Sequence, residues 1–286
     1  MTYKPKRSLG QNFLVDAAYI NKIVEAAGIA DGDTVLEIGP GRGALTSGLR
    51  RRAARFVAIE KDDSLAESHR QSMVGDPTSA VVHGDALRVM PSDLPFDGPY
   101  RVVANLPYNM AARITMHLLE DWGADVRSMT LMFQAEVAER IVAHAGTASY
   151  GSLSVQIGSF CEGWRLFNVP GGAFRPIPKV VSSVVRLHRR SEPLHEAAGV
   201  PYETFRAVVR AGFQSRRKTL LNSLRLAPAL PDDVALLEAA LAEAGIATGA
   251  RADAVPPEQF VRLSAILGSS VRAGAAPQST VESDAD

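Results

Sequence analysis

The sequence predicts an α/β protein in two parts: an open, mostly parallel sheet covered by helices, then a small helical domain. Three observations predict it. Short β-rich runs alternate with helix-length segments up to about residue 150. Each run ends in a polar residue or glycine, the rhythm of strands that emerge at one edge of a sheet. Beyond a polar, proline-containing stretch at 190–200, only helical spacing remains.

The elements follow in order. Asp16 can cap a first helix in which Ile20, Ile23 and Val24 recur at helical spacing. Thr34–Ile38 is a short apolar run. Gly39, Gly41 and Gly43 follow it, then a helix over 44–53 carrying Leu45 and Leu49. Further strands are Arg55–Ile59 ending at Glu60, Ala80–His83 leading into Gly84–Asp85, Arg101–Ala104 ending at Asn105, and Met129–Phe133 ending at Gln134. Helices fit 62–73, 111–121 and 135–143. Ligands of such sheets bind beyond the carboxyl ends of the strands. Glu37, Glu60, Asp85, Asn105 and Gln134 are therefore all expected at that edge. Cys161–Val169 and Val180–Leu187, joined by PGGAFRPIPK, read as a hairpin added to the sheet. Residues 202–225, 232–245 and Pro257–Leu267 read as helices, the last with proline at its start.

Composition narrows the class. With 46% hydrophobic and 22% charged residues among 286, the chain is not wholly disordered, a collagen or a coiled coil. No apolar run approaches the ~20 residues that span a bilayer. The first fourteen residues carry three cations and no apolar stretch, unlike a signal peptide. The single cysteine, Cys161, excludes an internal disulfide, and the histidines lack ligand spacing, so no metal is expected. A cytoplasmic protein is the simplest reading. The formal net charge is zero, yet residues 1–225 hold 28 basic and 22 acidic residues and residues 226–286 hold 3 and 9. Partners sense the local field rather than the sum.

Two motifs carry chemistry. In EIGPGRG the glycines let backbone approach a ligand and expose helix N-terminal amides. Gly39, Gly41 and Ala44 loosely satisfy a dinucleotide fingerprint. Glu37, two residues before the first glycine, suits a cationic ligand better than a pyrophosphate. Glu60 can accept both hydroxyls of a ribose, and Asp85 a hydrogen bond from an adenine amine. The plain alternative is a set of caps and turns. In NLPYN, Pro107 keeps Leu106 extended. Asn105 and Leu106 then offer acceptors, and Tyr108 a flat face. Phe174 offers a second face, completing a clamp for an unstacked base that bears an amino group. Here the plain alternative is a rigid loop with core aromatics.

QNFL at 11–14, EIGPGRG at 37–43, Glu60, GDA at 84–86, NLPY at 105–108, FRPIPKVVS at 174–182 and GFQSRRKTLLNSL at 212–224 together resemble the ribosomal RNA adenine N6-dimethyltransferase family. The resemblance runs from about residue 4 to about residue 267. It implies a Rossmann-like S-adenosylmethionine-dependent methyltransferase domain over 1–190 and a helical C-terminal domain over 191–270; the tail, 271–286, is acidic and expected to be disordered. It implies S-adenosyl-L-methionine as methyl donor, held by Asn12, Leu14, Glu37, Gly39, Gly41, Glu60, Asp85 and Asn105. It implies Asn105, Leu106, Tyr108 and Phe174 as the catalytic set. The implied substrate is a pair of adjacent adenosines near the 3′ end of small-subunit rRNA, on an assembling subunit; a monomer is expected. Lys4, Lys6, Arg7, Arg216, Arg217 and Lys218 are the expected phosphate contacts. Two stretches depart from the family pattern: Val181 stands where an aspartate is usual, and RADAVPPEQF at 251–260 stands where Arg-Ala-Glu-x-Leu-Ser is usual.

Three other functions compete: a methyltransferase of large-subunit rRNA that confers antibiotic resistance, a non-catalytic RNA-binding assembly factor, and an NAD-dependent oxidoreductase. The last lacks a convincing catalytic His, Tyr-Lys or Cys. The intact Glu60, Asp85 and Asn105 argue against loss of catalysis.

Overall fold

The computed structural model describes residues 12–270. The chain forms two compact units. Of the described residues, 12–142 and 161–191 form one, and 143–160 and 192–270 the other. The elements are β1 (Phe13–Leu14), α1 (Ala17–Ala26), β2 (Thr34–Ile38), α2 (Thr46–Arg50), β3 (Arg55–Glu60), α3 (Asp63–Ser72), β4 (Ser79–His83), β5 (Tyr100–Asn105), α4 (Ala111–Glu120), β6 (Val126–Gln134), α5 (Ala135–Ile141), α6 (Ser152–Phe160), β7 (Cys161–Val169), β8 (Phe174–Arg175), β9 (Ser182–Arg189), α7 (Leu194–Ala197), α8 (Tyr202–Gly212), α9 (Leu220–Arg225), α10 (Val234–Glu243) and α11 (Pro257–Leu267).

The first unit is built on a seven-stranded sheet of order β4-β3-β2-β5-β6-β9-β7. Strands β2 to β6 run parallel, while β9 and β7 add the antiparallel hairpin foreseen from their spacing. All five residues of β2 are buried, as expected for a central strand covered on both faces. The chain steps outward from β2 through β3 to β4, then returns to β5 on the other side of β2. This reversal opens a crevice at the carboxyl ends of β2 and β5, where Ile38 pairs with Ala104. A second, two-stranded ladder pairs β1 with β8, Leu14 opposite Phe174.

The second unit is helical. Val155 of α6, Phe205 and Val208 of α8, Leu220 and Leu224 of α9, Leu237 and Leu241 of α10, and Phe260 and Leu263 of α11 share one apolar core. It includes α6, a helix the periodicity did not separate from its surroundings, so residues 143–160 belong to this unit and not to the sheet. The single helix expected over 202–225 is two. Thr219, extended, caps α9, and Gly212 lets Leu220 of α9 pack closely against α8, since a Cβ there would lie 2.9 Å from the Leu220 Cδ1. Helical spacing continued through the break because both helices bury their apolar faces in the same core.

Candidate active site

A pocket of about 250 Å³ opens at the crevice past β2, β3, β4 and β5. Its floor is the glycine turn. Gly39, Gly41 and Gly43 have φ of +63°, +57° and +81°, a region costly for side-chain-bearing residues. A Cβ on Gly41 would also lie 3.1 Å from the Phe13 ring. The turn delays the helix that follows, so α2 starts at Thr46.

Glu60, at the end of β3, is pinned by two backbone amides. Gly41 N–H donates to its Oε2 at 3.0 Å and Asp62 N–H to its Oε1 at 2.9 Å. Each carboxylate oxygen has two lone pairs. The carboxylate is thus fixed in place with acceptor capacity left for two hydroxyls. Asp85 accepts from Lys61 Nζ at 2.8 Å and from Leu87 N–H at 3.0 Å. The Lys61 ammonium holds its carboxyl below the usual range. Glu37 is almost fully buried in the pocket wall and accepts from Thr46 Oγ1 at 2.7 Å. Burial, with the nearby Glu60 carboxylate, pushes its pKa up to about 8 despite the Thr46 bond. The expected acidic rim is therefore only partly charged at neutral pH.

Asn105, Leu106, Pro107 and Tyr108 line the same pocket. Asn105 Nδ2 donates to the Asn12 carbonyl at 3.2 Å, leaving Oδ1 as the acceptor of the amide. Tyr108 Oη and Ser182 Oγ share a 2.7 Å hydrogen bond that ties this loop to the start of β9. Asn12 and Leu14 also line the pocket. They reach it through the β1–β8 ladder, which joins the QNFL and FRPIPK stretches.

Phe174 sits apart from the other expected site residues. It does not line the pocket and is completely buried, packed in an apolar cluster with Leu14, Val169 and Val184. The physical reason is its place in β8: pairing with β1 fixes it under the ladder as a core residue. Gln134, the fifth polar strand end, lies at the start of α5 and outside the pocket wall. Val181 is half exposed, and the bond it makes at this point, accepting from Ala135 N–H at 2.9 Å, is a backbone one. Arg216, Arg217 and Lys218 are exposed in the turn between α8 and α9. Lys4, Lys6 and Arg7 lie outside the described residues, as does the acidic tail from 271 on. Sequence reasoning missed Lys61 and Phe13. Lys61 could have been found from its place directly after Glu60. Phe13 has no local signal, because its partner, Gly41, is distant in sequence. Among the described residues, no group of three or more His, Cys, Asp or Glu could hold a metal, and no helix is long and apolar enough to cross a membrane.

Residues 2–268 match the family described as ribosomal RNA adenine dimethylase. The chain belongs to the ribosomal RNA adenine dimethylase family. Among curated relatives of this dimethylase, the ribosomal RNA small subunit methyltransferase A of Shouchella clausii (strain KSM-K16) is 42% identical over 275 residues, 93% of this chain and 91% of that one. The protein of the same name from Enterococcus faecalis (strain ATCC 700802 / V583) is 42% identical over 269 residues, 92% and 90% of the two chains. The crystal structure of the 23S rRNA methyltransferase ErmE is 33% identical at a TM-score of 0.68, over 90% of this chain and all of that one. A dimethyladenosine transferase from Plasmodium falciparum agrees in fold, with a TM-score of 0.72 at 24% identity over 88% and 95%. The dimethylase is an enzyme that uses S-adenosyl-L-methionine, with the Rossmann-like fold of such methyltransferases. The residues in the pocket fit that donor. The turn is tight around Gly41, Glu60 is held by backbone amides with lone pairs left for hydroxyls, and Asp85 stands beyond it just past β4.

Proposed function

We propose that this dimethylase transfers methyl groups to N6 of two adjacent adenosines near the 3′ end of 16S rRNA, giving N6,N6-dimethyladenosines. It acts as a monomer on assembling small subunits in the cytoplasm. One observation carries this reading: the Asn105–Tyr108 segment, with the Asn105 amide pinned by Asn12, opens into the same pocket as the glycine turn. The full-length relatives named for the small subunit favour that RNA over the large-subunit one.

When bound, S-adenosylmethionine supplies an electrophilic methyl group on a positively charged sulfur. Glu60 would accept the ribose hydroxyls, Asp85 would accept from the adenine amine, and Glu37 would offset the positive charge of the donor. The exocyclic nitrogen of the target adenine is a poor nucleophile, because its lone pair is delocalised into the ring. Asn105 Oδ1 and the Leu106 carbonyl accept its two hydrogens. As the nitrogen becomes tetrahedral it gains positive charge, so those acceptors bind the transition state more strongly than the ground state. Tyr108, steadied by Ser182, stacks on the unstacked base. The proton then leaves to water, so no strong base is needed at the site. The sheet unit carries the chemistry, and the exposed Arg216, Arg217 and Lys218 of the helical unit add phosphate contacts.

The test is methyl transfer from labelled S-adenosylmethionine to undermethylated small subunits, with undermethylated large-subunit RNA in parallel, read as modified nucleosides by mass spectrometry. The expected product is dimethyladenosine at adjacent positions of small-subunit RNA. Label in large-subunit RNA alone would overturn the assignment in favour of the resistance branch. No label in either, with donor bound, would point to the assembly-factor function.

A further inference from the structure

Helix α3 contributes no residue to the pocket wall, yet it holds the pocket floor from behind. His69, on its last turns and only 9% exposed, places Nε2 at 2.8 Å from the Gly41 carbonyl oxygen. A carbonyl can only accept, so Nε2 carries the proton and donates. Gly41 is therefore gripped through both of its backbone polar groups, its N–H by Glu60 and its carbonyl by His69. The imidazole also fills the space beside the last glycine, since a Cβ at Gly43 would lie 3.1 Å from His69 Cε1. The two grips come from one stretch of chain. Asp62 caps α3 by accepting from Ser64 and Leu65 N–H, while its own N–H fixes the other oxygen of Glu60.

We infer that His69 is a positioning residue for donor binding. By holding the Gly41 carbonyl, in the peptide unit after Gly41, while Glu60 holds the N–H of the unit before it, His69 restrains the positive-φ backbone of Gly41 from both sides and so keeps the N–H in place against Glu60. Without His69, a carbonyl in a turn of positive-φ glycines loses its donor, the turn gains freedom, and the ribose-binding geometry is no longer held before the donor arrives. The inference rests on the reading of this pocket as the S-adenosylmethionine site.

The experiment compares wild type, His69→Leu and His69→Gln, with His69→Ala as a second deletion should leucine not fold. Donor binding is measured by calorimetry with S-adenosylmethionine and S-adenosylhomocysteine, beside steady-state kinetics, RNA affinity and thermal stability. His69→Leu is expected to raise donor Kd and KM about tenfold, the scale of one lost hydrogen bond. Its kcat at saturating donor and its RNA affinity should change far less. His69→Gln restores an N–H donor and should recover most of the affinity. Wild-type donor affinity in the deletion variants would overturn the inference. So would equal loss in the deletions and in His69→Gln, tracking the fall in thermal stability, because that is the behaviour of a merely structural residue. Failure of wild type itself to bind donor would overturn the reading of the pocket, and the role of His69 with it.

Discussion

At the scale of single residues, the base-side acceptors, Asn105 Oδ1 and the Leu106 carbonyl, are neutral groups. Asn105 spends its N–H on Asn12 and keeps its oxygen for substrate. Asn105→Ala should therefore lower kcat by about 10²-fold or more, the usual loss when one transition-state hydrogen-bond partner is removed. Donor affinity should stay within a few-fold, as calorimetry would show; an equal loss of donor affinity would contradict its role as a base-side acceptor. Glu37 behaves differently, because burial holds it protonated up to about pH 8. In the unfolded chain it ionises near its ordinary 4.5. Between those values the fold keeps a proton the unfolded chain has released, so stability falls as pH rises through that window. A cationic donor favours the ionised form, so binding at pH 7 should release a proton. Donor affinity should then increase as pH rises toward 8 and level off above it. Calorimetry in buffers of different ionisation enthalpy measures that proton. Glu37→Gln should abolish both the release and the pH slope.

At the scale of elements, the glycine turn joins β2 to α2 and carries the donor site with it. Gly41→Ala meets two costs at once: a φ of +57° and a Cβ 3.1 Å from Phe13. The backbone cost alone is about 1–2 kcal/mol. Denaturant unfolding should show that loss, and donor affinity should fall with it. Gly199→Ala is the control, since Gly199 has φ +65° with open space around its Cβ position; it should lose stability without losing donor affinity. The turn was legible in sequence because its geometry is local: only glycines tolerate three positive φ values so close together. The break between α8 and α9 was not legible, because it depends on Leu220 packing against Gly212 across the turn. The burial of Phe174 was not legible for a similar reason. Its motif marks it as special, but pairing of β8 with β1, about 160 residues apart in sequence, decides that the ring goes into the core.

At the scale of the whole molecule, the zero net charge conceals two populations of residues. The acidic excess lies in residues 226–286, while the exposed Arg216, Arg217 and Lys218 sit just before it in the helical unit. Their roles as phosphate contacts predict a steep salt dependence of RNA binding. Replacing all three by alanine should weaken RNA binding and reduce the slope of log affinity against log salt by about 2, at roughly 0.7 for each single-strand phosphate no longer neutralised. Donor affinity should be unchanged. Filter binding over a salt series measures the slope; an unaltered slope would leave the three residues as ordinary solvated charge.

The sequence by itself determined the α/β class, the five parallel strands, the added hairpin and four of the five polar strand ends that meet at the pocket, Glu37, Glu60, Asp85 and Asn105. These follow from local alternation and from the rule that such sheets bind at their carboxyl edge. Only the tertiary structure decided what holds those residues in place. Asn12 reaches Asn105, Phe13 roofs Gly41, Ser182 ties Tyr108 and His69 backs the glycine turn, each across many residues of chain. Periodicity reports which face of an element is buried, but not which distant backbone it meets. A hydrogen bond between remote segments leaves no periodic trace, and the pairing of chain segments that creates it is settled only when the whole core closes.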